Sequence, residues 1–307
     1  VVRFDKSTAE KGRQYVQDRR RAGGGRRGVA VGGGLGGIVI ALIAAFLGLS
    51  GGGDGGAGGA FGLDVTGFDQ QAGGVSDEGA TTAVDPDADT VEYMQALMFD
   101  IQETWDLYFD EAGLDYEPTQ LVLFTDAVST GCGNASSATG PFYCPAPNDR
   151  MVYVDLGFYD ELSTRFGAPG DLAQAYVIAH EIGHHLQSIL GISDAVRDAQ
   201  ARDPQNRNEY SVRQELQADC LAGVWAHSAS NRLTRETGVP ILERGDIQEG
   251  LAAAASVGDD RIQEQAGMTI DPHTWTHGSS QQRVHWFTVG FDTGDPEQCD
   301  TFAAEDL

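Results

Sequence analysis

His180 and His184 stand four residues apart, with Glu181 directly after the first, in the string HEIGH. On an α-helix, residues i and i+4 leave the same face about one turn apart, so both imidazoles can reach one ion. Glu181 then holds a carboxylate over a water on that ion, where it can take and return a proton. The pattern is the H-E-x-x-H of zinc hydrolases, and it requires a helix and a third ligand. Glu215 and Asp219, again four apart, lie in a second stretch of helical character, NEYSVRQELQADCLAGVWAHS at 208–228. Glu215 can complete a His/His/Glu zinc site whose fourth position stays open for water. Asp219 is suited to accept the remaining ring N–H of a ligand histidine and so fix its tautomer. The plain alternative for this acidic pair is a solvated helix face.

The elements that must position these groups are legible in outline. Gly167-Ala168-Pro169-Gly170 breaks the chain, Asp171 is expected as an N-cap and Gly191 as a stop, which predicts a helix over 171–191. Leu172, Tyr176, Ile178, Ile182, Leu186 and Ile189 supply its buried surface. His185 points about 100° away from His184 and is assigned to packing. His227, twelve residues beyond Glu215, is kept as an alternative ligand. Apolar residues at intervals of three and four from Val91 to Phe109 predict an earlier amphipathic helix that ends near Gly113. Leu121–Phe124 and Met151–Asp155 read as strands, and Leu156–Arg165 as a short helix. The second strand is considered as an edge that pairs with an extended peptide, or as an ordinary sheet strand. A helix over 247–257 capped by Asp246 is expected to end at Gly258-Asp259-Asp260. Ser279 and Gln282 have capping-box spacing and open a last helix. His277 at its mouth and Arg283 on it are candidates to stabilise a developing oxyanion, the alternative being a cap and a surface ion pair.

Composition divides the 307-residue chain. Gly28 to Leu49 carries no charged residue and is long enough to cross a bilayer as a helix. Residues 1–50 hold nine Lys/Arg against three Asp/Glu, and residues 51–307 hold eleven against 43. The expected organisation is a basic cytoplasmic segment (1–27), a transmembrane anchor (28–49), a flexible Gly/Asp-rich linker (50–87) and one domain (88–307). The protein is thus expected in the cell membrane, single-pass, with its N-terminus cytoplasmic and its domain extracytoplasmic. Strong acidity of that domain argues against nucleic-acid binding, which uses basic surface. All four cysteines, Cys132, Cys144, Cys220 and Cys299, follow the apolar run. An even count in an oxidising compartment predicts two disulfides. The close pair Cys132/Cys144 is the natural first bridge and leaves Cys220/Cys299, although sequence alone allows three pairings.

Taken together, GPFYCP, VYVDLGFYDEL, FGAPGDLAQAYVIAHEIGHH, ELQADCLAGVWAH, GDD and HGSSQQRVHWF resemble the bacterial neutral zinc metallopeptidase family over roughly residues 88–307. More distantly, H-E-x-x-H, E-x-x-A-D at Glu215 to Asp219 and T-H-x-x-x-x-x-R at Thr276 to Arg283 resemble membrane metallopeptidases that process prenylated or misfolded proteins. The resemblance implies a glutamate-type zincin that holds Zn2+ through His180, His184 and Glu215, with Glu181 as base and Asp219 supporting a ligand. The expected fold class is α+β: a mainly helical zincin-like metallopeptidase domain with a small β-sheet, preceded by one transmembrane helix. The expected substrate is a peptide or protein. A zinc hydrolase of non-peptide amides or esters, and a non-catalytic zinc-containing surface module, are the alternatives.

Overall fold

The structure is a computed structural model that describes residues 2–20 and 85–307. The run 28–49 and most of the expected linker lie outside the described residues. Among the described residues no helix is long and apolar enough to cross a membrane.

Three long helices form the frame of the site. Helix α1 is Lys6–Gly12 and α2 is Ala88–Glu111; α3 is Gly157–Thr164, α4 is Asp171–Ile189 and α5 is Ile192–Arg202. Helix α6 is Arg207–Ser230, followed by α7 (Arg244–Ser256), α8 (Asp259–Gln265) and α9 (Ser280–Thr293). The central helices α4, α6 and α9 bury Tyr176, Ile178, Ile182, Leu216, Val224, Trp225 and Phe287 in one core. Removal of such side chains from water is the main term that holds helices of this kind together.

Small residues set how close these helices come. A Cβ at Gly183, inside the H-E-x-x-H turn, would lie 2.9 Å from the Cα of Ala218 on α6. A Cβ at Gly290 on α9 would lie 1.9 Å from the carbonyl oxygen of Cys220. Neither position has room for a side chain, so backbone meets backbone and the polar groups one turn away are brought into direct contact. The Cys220–Cys299 disulfide ties α6 to the chain beyond α9, and Cys132–Cys144 closes the loop before the second half of the sheet. Both pairings are those expected.

Beside the helices lies a sheet of order β1-β2-β6-β5, made of Val16–Asp18 (β1), Gln120–Phe124 (β2), Met151–Asp155 (β6) and Phe142–Cys144 (β5). Between β2 and β5 in sequence, Ala127–Thr130 (β3) and Gly133–Ser136 (β4) form a separate antiparallel hairpin. Two expectations change here. Met151–Asp155 is not an edge: it is paired with β2 on one side and β5 on the other, so its backbone groups already have partners. The edge on that side is Phe142–Cys144, too short and aromatic to stand out from the Gly/Ser-rich loop around it.

The second change concerns the expected boundary at residue 88. Val16, Gln17 and Asp18 pair in parallel with Leu121, Val122 and Leu123. Arg3 donates its backbone N–H to the Ile241 carbonyl at 3.0 Å, and Val2 is buried in the main core. A domain drawn from 88 onward would leave a buried strand edge without its partner, so β1 and α1 belong to the same folded body. Arg20 hydrogen-bonds Asp85 at 2.8 Å and Asp87 at 2.7 Å. The residues on either side of 21–84 therefore stand next to one another.

Several caps differ from the expected ones by a residue or more. Gly170, with φ 132°, is the N-cap of α4, and Asp171 sits in its first turn, where a carboxylate complements the helix dipole. Helix α7 starts at Arg244 because Glu243 and Asp246 form its capping box. Asp259 starts α8 and does not merely end the helix before it. The Ser279/Gln282 capping box of α9 is as expected.

Candidate metal centre

Helix geometry turns His180 and His184 to one side of α4, and the contact at Gly183 places Glu215 of α6 opposite them. His180 Nε2 lies 3.2 Å from Glu215 Oε2, and His184 Nε2 lies 3.3 Å from Glu215 Oε1. One donor atom from each of the three residues falls within 4.8 Å of the others. His180, His184 and Glu215 are the three residues the sequence put forward as a ligand set, and the structure brings them together.

Each imidazole is aimed from its other nitrogen. His180 Nδ1 is 2.8 Å from Asp219 Oδ1, and His184 Nδ1 is 2.8 Å from Gln187 Oε1. Such partners fix which nitrogen faces a metal. Asp219 is one of the two acids expected beside the histidines, and it stands against His180. Gln187 does the same for the second histidine and was not anticipated, although its place three residues after His184 on one helix was the available signal. Its amide donates to Gln214 O at 2.7 Å and Gln217 Oε1 at 3.0 Å, so α6 holds it in that orientation.

Arg283 differs from expectation. Its guanidinium donates to Asp219 through Nε at 2.8 Å and Nη2 at 2.9 Å, to the Tyr176 hydroxyl at 3.1 Å and to the Val257 carbonyl at 3.2 Å. It is 4% exposed. Arg283 lines the same cavity as His180, and its donors are engaged with the carboxylate that meets His180 Nδ1, with Tyr176 and with the Val257 carbonyl. The Tyr176 hydroxyl also donates to Asp219. The sequence showed Tyr176 only as buried surface, although it lies one turn before His180.

His277 reaches the centre from the loop before α9. Its ring lines the same cavity, about 1010 Å³, as His180, Glu181, His184 and Glu215. Glu181 is 9% exposed and on that cavity wall with His180 and His184. His227 does not join the set: its Nδ1 meets the Phe291 carbonyl at 2.6 Å. His185 packs between Tyr143 and Tyr116 and meets the Glu117 carbonyl at 2.6 Å. Burial holds its pKa below the ordinary imidazole value.

Electrostatics mark the centre as a place for a cation. Burial disfavours charge on His180, but Asp219 and Glu215 more than offset it and push its pKa up to about 10. His184 is raised in the same way, burial being outweighed by Glu215. Burial alone would raise Glu215, yet His184, His277 and His180 hold it well below the usual carboxylate range. The metal-free centre thus retains protons that a divalent ion would replace. Two imidazole nitrogens and a carboxylate, each backed by a hydrogen-bond partner or held between helices, fit zinc.

A measurable consequence follows from the sign of these shifts. At pH 8 His180 is below its raised pKa of about 10, so the metal-free protein holds a proton that metal binding must expel. Zinc titration of metal-free protein at that pH should release at least about one proton, read with an indicator in weak buffer. Zinc uptake without acidification would mean that the ligands are already deprotonated. By the same linkage, the stability that this proton confers is complete below the ordinary 6.5 and is lost as pH rises through about 10.

Two histidines one turn apart on one helix, an intervening glutamate and a glutamate from a second helix have the arrangement of the H-E-x-x-H class of metal sites. The family described as "Putative neutral zinc metallopeptidase" matches residues 6–302, which include α1 and β1. This chain belongs to that family. It is 41% identical over 293 residues to the uncharacterized protein YpfJ of Escherichia coli K12, covering 94% of this chain and 95% of that one. It is also 52% identical over 196 residues to the uncharacterized protein Rv2575 of Mycobacterium tuberculosis H37Rv, covering 62% of this chain and 65% of the other. No solved structure matches it.

Proposed function

We propose that the protein is a zinc-dependent peptidase that hydrolyses peptide bonds in an extended polypeptide. The observation that carries this reading is the position of Glu181: it shares one open cavity with His180, His184 and Glu215, beside the sheet edge at Phe142–Cys144. A closed structural site would have no use for a carboxylate there. Zinc bound by His180, His184 and Glu215 supplies a Lewis acid that activates water and polarises the scissile carbonyl.

The protein's own groups do the rest. Glu181 takes the proton of the attacking water and delivers it to the leaving amine nitrogen. His277 hydrogen-bonds the carbonyl oxygen as charge develops on it. The main chain of Phe142–Cys144 can hydrogen-bond an extended substrate, and the cavity offers its side chains Phe142, Phe158, Phe166, Val177 and Ile262. This apolar lining favours a peptide with large hydrophobic residues over a small polar amide or ester.

The localisation belongs to the same proposal. Two disulfides and an acidic surface support an extracytoplasmic domain. The contact of Arg20 with Asp85 and the β1–β2 pairing support a reading in which residues 2–20 and the domain lie on the same side of the membrane, in place of a single crossing between them.

The direct test is cleavage of an unfolded protein by the full chain with its disulfides formed. Expected are chelator-sensitive cleavage and its restoration by zinc. A zinc-loaded protein that leaves unfolded proteins and apolar peptides intact while it hydrolyses small amides or esters would replace the peptidase reading.

A further inference from the structure

Asp259 lies outside the metal set and carries a hydrogen-bond pattern that nothing above requires. Its Oδ2 accepts three successive backbone N–H groups, from Thr276 at 2.8 Å, His277 at 2.7 Å and Gly278 at 3.1 Å. Its own N–H donates to the Gly278 carbonyl at 2.9 Å. Its Oδ1 lies 3.3 Å from His277 Nδ1, and the Thr276 hydroxyl lies 2.9 Å from the same nitrogen. The neighbouring Asp260 takes the N–H and the hydroxyl of Ser280, each at 2.7 Å. Gly258 permits this approach, since a Cβ there would stand 2.3 Å from the Ser280 nitrogen.

A carboxylate that collects three consecutive N–H groups fixes the path of the backbone carrying them, and charge-assisted bonds of this kind are the stronger ones. Asp259 is 7% exposed, so water competes little for it. The residue at the centre of the clamped turn is His277, whose ring lines the metal cavity. Thr276 and Asp259 occupy the surroundings of Nδ1.

We propose that Asp259 is the positioning residue for His277, and that the Asp259 and Thr276 contacts present His277 Nε2–H to the scissile carbonyl of a bound peptide. Two states of the ring carry that proton: a neutral ring whose Nδ1 accepts from the Thr276 hydroxyl, and a charged ring whose Nδ1 donates to Asp259. In both, Asp259 acts through His277 and not on the substrate. The proposal rests on the peptidase reading for the role of Nε2 but not for the clamp itself. In a preorganised site the loss of one such donor costs about 10²–10³ in kcat.

The test is a double-mutant cycle on the zinc-loaded full chain with His277→Ala and Asp259→Asn, kcat and KM being measured separately. Asp259→Asn keeps an acceptor for the backbone and weakens the ring contact. Expected is a fall in kcat of about tenfold or more for Asp259→Asn, within the loss for His277→Ala, with zinc content and KM little changed. In the His277→Ala background Asp259→Asn should cost almost nothing further. Equal losses in both backgrounds would show that Asp259 acts on the fold alone and would overturn the proposal.

A second readout does not depend on turnover. Histidine ring 1H–15N spectra of the metal-free full chain should show His277 Nδ1 shifting in Asp259→Asn while His227 and His185 keep their positions. An unmoved His277 signal would overturn the clamp even in an active enzyme. A moved signal in a protein that cleaves no peptide would retain the clamp and remove the peptidase reading.

Discussion

Glu181→Gln should leave the fold and the zinc content as they are and lower peptide cleavage by about 10²–10⁴-fold. Glutamine has nearly the same size and shape as glutamate, and Glu181 is not one of the three residues whose donor atoms converge. What it lacks is the capacity to accept a proton from water and hand it to the leaving amine. Because that transfer occurs in the transition state, kcat and kcat/KM should fall together while KM changes little. Steady-state cleavage of a fluorogenic peptide, with zinc measured on the same samples, is the check. Cleavage by Glu181→Gln at the wild-type rate would exclude Glu181 as the base and direct attention to His277 as the only other described imidazole on the cavity wall outside the ligand pair.

Asp219→Ala should have the largest effect on the fold. Asp219 is wholly buried and faces Arg283, Tyr176 and His180 together. Burial works against its charge, but Arg283 and His180 overcome this and hold its carboxyl below the ordinary range. Removal of one partner of a buried ion pair leaves the other charge without compensation and costs about 3–5 kcal/mol. Here the stranded group is the Arg283 guanidinium, 2.9 Å from Asp219 Oδ1 and 3.4 Å from His180 Nδ1. His180 simultaneously loses the acceptor that aims it, so zinc affinity should fall by about 10–100-fold. Denaturant unfolding in chelator measures the first effect and zinc titration the second. Separating the two matters, since bound zinc would mask part of the destabilisation by mass action. If Asp219→Ala unfolds at the wild-type denaturant concentration, Arg283 must find another partner or reach solvent.

Glu181 and Asp219 occupy different parts of one site. Glu181 lines the cavity, and its proposed role is on the substrate. Asp219 stands behind the metal ligands and acts on His180. That difference explains why the first variant should be a stable, inactive protein and the second an unstable one whose residual activity depends on zinc concentration.

Sequence by itself determined the parts of this protein whose geometry is local. The spacing of His180, Glu181 and His184 places both imidazoles on one face because a helix has 3.6 residues per turn. Glu215 and Asp219 were legible for the same reason, as were the capping box of α9 and the long helices with their apolar periodicity. Sequence favoured the close pair Cys132/Cys144 but allowed three pairings, and the structure selects Cys132–Cys144 with Cys220–Cys299. Tertiary structure decided which way the non-local groups turn. Both Arg283 on α9 and His277 in the loop before it line the cavity, yet Arg283 spends its donors on Asp219, Tyr176 and Val257, because α9 meets α6 at Gly290, while the loop that carries His277 is clamped by Asp259. Gln187 became the partner of His184 only because Gln214 and Gln217 hold its amide. The edge at Phe142–Cys144 and the insertion of Val16–Asp18 beside Leu121–Leu123 depend on three-residue strands. A strand that short has too few residues for its alternation to show, and its neighbour in the sheet is set by packing across the whole chain.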